Sequence, residues 1–161
     1  MLKVQTSFTQ NVFEAFLLKA EKHIIKCMGD ALAQLVRESD TKARDRGYDV
    51  SFRDVTGNLR SSIGGAVYQH GQVFFTSSFN QVLKGSKGSA EGRKMVQSLA
   101  HQYTDAIVMV MVAGMDYADY VEAIDSKDVI ESTRIWAESV VMKRLEEAKD
   151  KAVKEINSWS L

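Results

Sequence analysis

Asp54-Val55-Thr56-Gly57-Asn58-Leu59-Arg60-Ser61-Ser62-Ile63 is the stretch on which the reading of this chain turns. Upstream of it apolar residues recur with the step of a helix; downstream come glycines and short runs with the step of strands. Thr56 is placed to cap a short helical turn through Ile63, Gly57 and Asn58 tolerate the tight entry, and Leu59 and Ile63 pin the turn to a core. A second phrase, Gly114-Met115-Asp116-Tyr117-Ala118-Asp119-Tyr120-Val121-Glu122, marks the reverse change, from an apolar run to a helix. Tyr117, Tyr120 and Val121 share one helical side there, with phenols able to reach the surface. Neither phrase is a catalytic signature. Two such junctions predict an α+β framework.

Upstream, Phe13, Leu17, Ala20, Ile24, Cys27, Ala31 and Leu35 form one stripe of a helix from about Ser7 to Ser39, widened by Phe16, Met28, Leu32 and Val36 and capped by Ser7 or Thr9. The mixed charges Asp40, Lys42, Arg44, Asp45, Arg46, Asp49 and Arg53 then read as a solvated connection broken at Gly47. Downstream, Gly64-Gly65 ends the turn, and Ala66–Gln69 and Gln72–Thr76 pair as strands around His70-Gly71. Residues 77–102 hold Lys84-Gly85-Ser86-Lys87-Gly88-Ser89-Ala90-Glu91-Gly92-Arg93-Lys94, too poor in apolar groups to offset its conformational entropy, so a mobile basic loop is expected, followed by a brief helix over 91–103. Asp105 opens Ala106–Ala113, apolar at both parities as a strand covered on both faces would be, and the best candidate for the centre of the sheet. A last helix over about 129–158 carries the stripe Ala137, Val141, Leu145, Ala148, Ala152, Ile156 and Trp159 opposite charge pairs four apart. The expected fold is a small, mostly antiparallel sheet packed by a long N-terminal and a long C-terminal helix, one domain over residues 1–161.

The 161 residues, 45% apolar and 26% charged, suffice for a real core. Lys+Arg and Asp+Glu are 21 each, so overall charge gives no reason to expect nucleic-acid binding. Cys27 is the only cysteine, which excludes an internal disulfide and Cys-rich zinc sites and suits a reducing compartment. The N-terminus lacks the pattern of a signal peptide, and the longest apolar run is about half a membrane span, so a soluble, unexported protein is expected.

Reactive groups are sparse in pattern. His23, His70 and His101 include no local metal pair, and no metal or cofactor is expected. Asp116, Asp119, Glu122, Asp125 and Asp128 read as a solvated helix face rather than a cation site. Ser61-Ser62 has no nucleophile elbow, and Gly85, Gly88 and Gly92 do not lead into Lys-Ser or Lys-Thr as a phosphate loop requires. Lys84, Lys87, Arg93 and Lys94 face only Glu91 as a counter-charge, and are the expected interface residues of the basic arm.

The two phrases, the hairpin and apolar strand between them, and the two bracketing helices resemble the tail-completion proteins of long-tailed bacteriophages, also called minor tail, neck or head–tail joining proteins. The resemblance spans roughly Ala31 to Leu161, and its specific part is Thr56, Gly57, Asn58, Leu59 and Arg60 with Tyr117, Tyr120 and Glu122. Two departures stand out: Ala123–Ile130 lacks the glycine and the proline-rich, Phe-containing phrase usual in that family, and 77–102 enlarges the hairpin-to-strand connection. The resemblance implies a non-enzymatic virion protein at the head–tail interface, made in the bacterial host cytoplasm. Its partners would be further copies in a ring, head-side adaptor or portal proteins, and tail-tube or tail-terminator proteins, with no membrane. Packaged DNA would be a further contact of the basic arm, whose alternative reading is a small nucleic-acid-binding module.

Overall fold

The computed structural model describes residues 7–45, 52–104, 107–124 and 127–159, with side chains from Asn11 onward. The elements are α1 (Ser7–Arg44), α2 (Asn58–Ser62), β1 (Ile63–Gln69), β2 (Gln72–Thr76), α3 (Ser86–Leu99), β3 (Ile107–Ala113), α4 (Ala118–Ala123) and α5 (Glu131–Asn157), with a 3-10 turn at Ala100–Gln102. This is the α+β fold expected: a three-stranded antiparallel sheet in the order β2-β1-β3 with long helices first and last. The caps at Ser7 and Thr9, the break at Gly47, the strand opener Asp105 and the carboxylate of Asp125 lie outside the described residues.

α1 and α5 run antiparallel, because their contacts count in opposite directions: His23 meets Glu155, Glu38 meets Arg144, and Lys42 lies over Trp136. Together they cover one face of the sheet, where Leu32, Ala33, Val36 and Val67 pack with Phe74, Phe75, Ile107, Met109, Val141 and Leu145. On the other face Ala66, Tyr68 and Val112 pack with Phe79, Val96 and Ala100. Each fully buried large side chain here contributes roughly 1.5–3 kcal/mol over its exposed state. Tyr68 needs a partner for its phenol and donates to the carbonyl of Val96 at 2.6 Å.

The centre of the sheet is β1, not the apolar run of β3, which forms an edge. Both faces of β3 do meet helices: Ile107 and Met109 turn to α1 and α5, Val110 and Val112 to the α3 layer. β1 holds the centre with small residues because its neighbours press close. A Cβ on Gly64 would lie 2.5 Å from the Phe79 ring, and one on Gly65 2.6 Å from the Val110 carbonyl oxygen. The glycines therefore sit inside the strand, which starts at Ile63 rather than Ala66. The His70-Gly71 turn stands as expected, both residues at positive φ.

The expected basic loop is largely helix. α3 begins at Ser86, five residues before the predicted start, and its buried residues are Gly88, Ser89, Gly92 and Val96. Glycine and serine recurring at steps of three and four make a narrow face, which lets the α3 backbone lie almost against α2 and Phe79: a Cβ on Gly88 would meet the Asn58 carbonyl oxygen at 1.8 Å, and one on Gly92 the Phe79 ring at 2.5 Å. The charged stretch after Ser39 also differs from expectation. α1 continues to Arg44, and Asp40 and Arg44 lie 3.6 Å apart with side chains only 16% and 11% exposed. Arg44 donates to the Asn80 carbonyl, and burial pushes the Asp40 carboxyl above its usual pKa.

Candidate functional site

The structure brings the two junction phrases together at one end of the sheet. Leu59 and Ile63 from the first share a core cluster with Met115 and Ala118 from the second, joined by Ala43, Phe52 and Val129. The Gly114 N–H donates to the Ser62 carbonyl at 3.1 Å and stitches the phrases directly.

Within the first phrase the capping group is Asp54 rather than Thr56. The buried Asp54 carboxylate accepts from the N–H of Gly57 at 2.9 Å and of Arg60 at 2.7 Å, while the Thr56 hydroxyl accepts from Asn58 at a weaker 3.3 Å. Gly57 holds φ at 79°, a left-handed value where a side chain is strained. Asn58 accepts from the Gly88 N–H at 3.1 Å, which ties α2 to α3. Arg60 is buried: its guanidinium lies 4.9 Å from the Phe52 ring centroid and donates to the carbonyls of Arg44 and Phe52. The Ser61 hydroxyl accepts from the Val82 N–H at 2.8 Å and the Ser62 hydroxyl donates to the Leu59 carbonyl at 2.8 Å, so both serve the local backbone.

In the second phrase Glu122 closes a distant helix. One carboxylate oxygen accepts from the N–H of Val129 and Glu131 at 3.2 and 3.0 Å, the other from Ile130 at 3.1 Å. These N–H groups lie at the start of α5, where a negative charge is favoured. Asp128 accepts from the Ser132 N–H on the same turn. Glu122 and Asp128 thus serve the start of α5, while Asp116 and Asp119 are exposed. Tyr117 and Tyr120 remain outward-facing, Tyr120 at 68% exposure, and burial raises the pKa of the Tyr117 phenol.

Of the basic residues, Lys84, Lys87, Arg93 and Lys94 are all exposed, but they do not act as one group. Arg93 donates to the Ser78 carbonyl at 2.8 Å and so braces the approach to Phe79. Lys94 lies 3.8 Å from Glu91.

Three further features lie outside the two phrases and the basic stretch. The outer edge of β3 borders a groove of about 340 Å³ lined by Tyr103, Val108, Met109, Ile130, Ala137 and Val141, with Arg134 and Glu138 at its rim. On α1, Val12, Phe13, Leu17 and Leu18 are exposed, while the Trp159 ring lies against Phe16 and His23. Where α1 and α5 meet, His23, Cys27 and Glu155 place three ligand-type atoms within 4.8 Å of one another, the one such group among the described residues. The sequence carried part of that signal: His23 and Cys27 are four apart on one helix. Glu155, 132 residues beyond His23, could not be paired with them before folding.

No family model, curated protein or solved structure matches this chain.

Proposed function

We propose that this chain is a structural protein of a phage neck, completing the connection between the portal side of the head and the tail tube as a ring of copies. The observation that carries the reading is a sheet with two open edges: among the described residues neither β2 nor β3 has a strand on its outer side. An open edge is a row of unused backbone donors and acceptors, which soluble proteins normally blunt with charge, and β3 is apolar throughout and borders an apolar groove. Different edges on opposite sides of one sheet support head-to-tail contacts, and such contacts close into rings when the rotation allows.

The junction phrases support the same reading from the inside. Asp54, Asn58, Arg60 and Glu122 spend their polar groups on backbone and helix starts, which holds a fixed shape for presentation to neighbours. Outward-facing Tyr117 and Tyr120, together with Val12, Phe13, Leu17 and Leu18, supply amphipathic and apolar contact surface of the kind interfaces favour. The test is quantitative mass spectrometry and immunogold labelling of purified particles. A few to a dozen or so copies per particle, with gold at the neck, is the expected result, in line with closed cyclic assemblies. Absence from particles, or labelling along the tail or over the capsid, would overturn the assignment.

A further inference from the structure

We propose that His23, Cys27 and Glu155 form a zinc site that staples α1 to α5. His23 and Cys27 lie one turn apart on α1, with the Cys27 Sγ 3.7 Å from the His23 Nε2. Glu155, on α5, approaches the same nitrogen at 2.7 Å. A thiolate, an imidazole and a carboxylate from two helices are a donor set that zinc takes, and one that hard cations such as magnesium do not.

Two of the three ligand spacings fit with small adjustments, and all three ligand atoms lie within 4.8 Å of one another. Zinc at about 2.3 Å from sulfur and about 2.0–2.1 Å from nitrogen and oxygen, with tetrahedral angles, separates its ligand atoms by roughly 3.3–3.6 Å. The sulfur–nitrogen pair is already at 3.7 Å. The nitrogen–oxygen pair, at hydrogen-bond length, must open by under about 1 Å, which side-chain torsions of Glu155, 42% exposed, can supply. The imidazole is held for the purpose: the Trp159 ring packs edge-on at 5.1 Å between centroids. Lys151, 4.0 Å from the other Glu155 oxygen, stays paired with that oxygen. Three protein ligands leave a fourth position for water, so the ion is exchangeable rather than sealed in. Coordination releases the thiol proton and any proton on the imidazole nitrogen to solvent, with no change in oxidation state.

The test is titration of the reduced, metal-free full chain with Co²⁺, followed by optical spectroscopy. Because Cys27 is the only cysteine, any thiolate-to-cobalt charge-transfer band reports this one residue. The expected result is a band saturating at one equivalent per chain, accompanied by tetrahedral d–d absorption and abolished by added Zn²⁺. Cys27→Ser should remove the band, and His23→Gln and Glu155→Gln should each weaken binding about tenfold or more. Thermal melting should rise with Zn²⁺ and not with Mg²⁺. Near-UV circular dichroism of each variant establishes that it is folded. No band, saturation at half an equivalent (an ion shared between copies), or a band indifferent to both His23→Gln and Glu155→Gln would overturn the proposal.

Discussion

Gly88→Ala sets helix propensity directly against packing. In an exposed helix the change would stabilise by about 1 kcal/mol. In α3 the new Cβ would lie 1.8 Å from the backbone oxygen of Asn58, and backbone cannot swing aside. To reach ordinary contact α3 must retreat by roughly 1.5 Å, at an overpacking cost of about 1–3 kcal/mol or somewhat more. The retreat also breaks the hydrogen bond from the Gly88 N–H to Asn58, a further ~0.5–1.5 kcal/mol. Net destabilisation is therefore about 0.5–3.5 kcal/mol, or about 1–14 °C in Tm for a chain of this size. Urea and thermal unfolding by far-UV circular dichroism read both. Exposed Ala90→Gly, on the same helix, isolates propensity and should cost about 1 kcal/mol. A Gly88→Ala protein more stable than wild type, or a silent Ala90→Gly, would refute the packed-helix account of residues 86–99.

Glu122→Ala removes the acceptor of three N–H groups at the start of α5 and should cost about 1–2 kcal/mol in urea unfolding, with hydrogen exchange fastest at Val129–Glu131. The Tyr68 phenol, its pKa raised by burial to about 12, adds a pH dependence. A raised folded-state pKa means its contribution is intact below the unfolded value of about 10 and is lost as pH rises toward 12, so unfolding free energy should fall across that window, and Tyr68→Phe should flatten the fall. Lys84, Lys87 and Lys94, exposed on and beside α3, can be changed together to Glu with unfolding shifted by under about 0.5 kcal/mol. Under the neck reading the triple variant joins heads to tails poorly; salt-sensitive DNA binding by the isolated wild-type chain would favour the nucleic-acid alternative instead. Phe13→Asp with Leu17→Asp should likewise leave monomer stability within about 0.5 kcal/mol while weakening self-association in sedimentation velocity.

The long helices and the hairpin were legible because their signals are local: a stripe at steps of three and four, and a His-Gly turn between short runs. What misled was small residues. Gly64 and Gly65 read as a stop, and Gly85, Gly88 and Gly92 as a flexible arm, because a glycine that admits a close neighbour cannot be distinguished in sequence from one that frees the chain. The charges after Ser39 misled similarly, since Asp40 and Arg44 turn inward together, 3.6 Å apart, and Arg44 donates to the Asn80 carbonyl. The junction phrases were placed correctly as a pair of element changes, but the groups that do the work inside them, Asp54 for the first turn and Glu122 for α5, depend on contacts made by the folded backbone. The β3 edge was hidden for a different reason: a strand covered on both faces reads alike at the centre and at the rim.

Electron microscopy of lysates from a phage that encodes this chain, with its gene deleted and then restored, tests the assembly account most directly. The account predicts filled heads and complete tails lying apart, rejoined when the wild-type chain is supplied. Intact, infectious particles formed without the chain would contradict it.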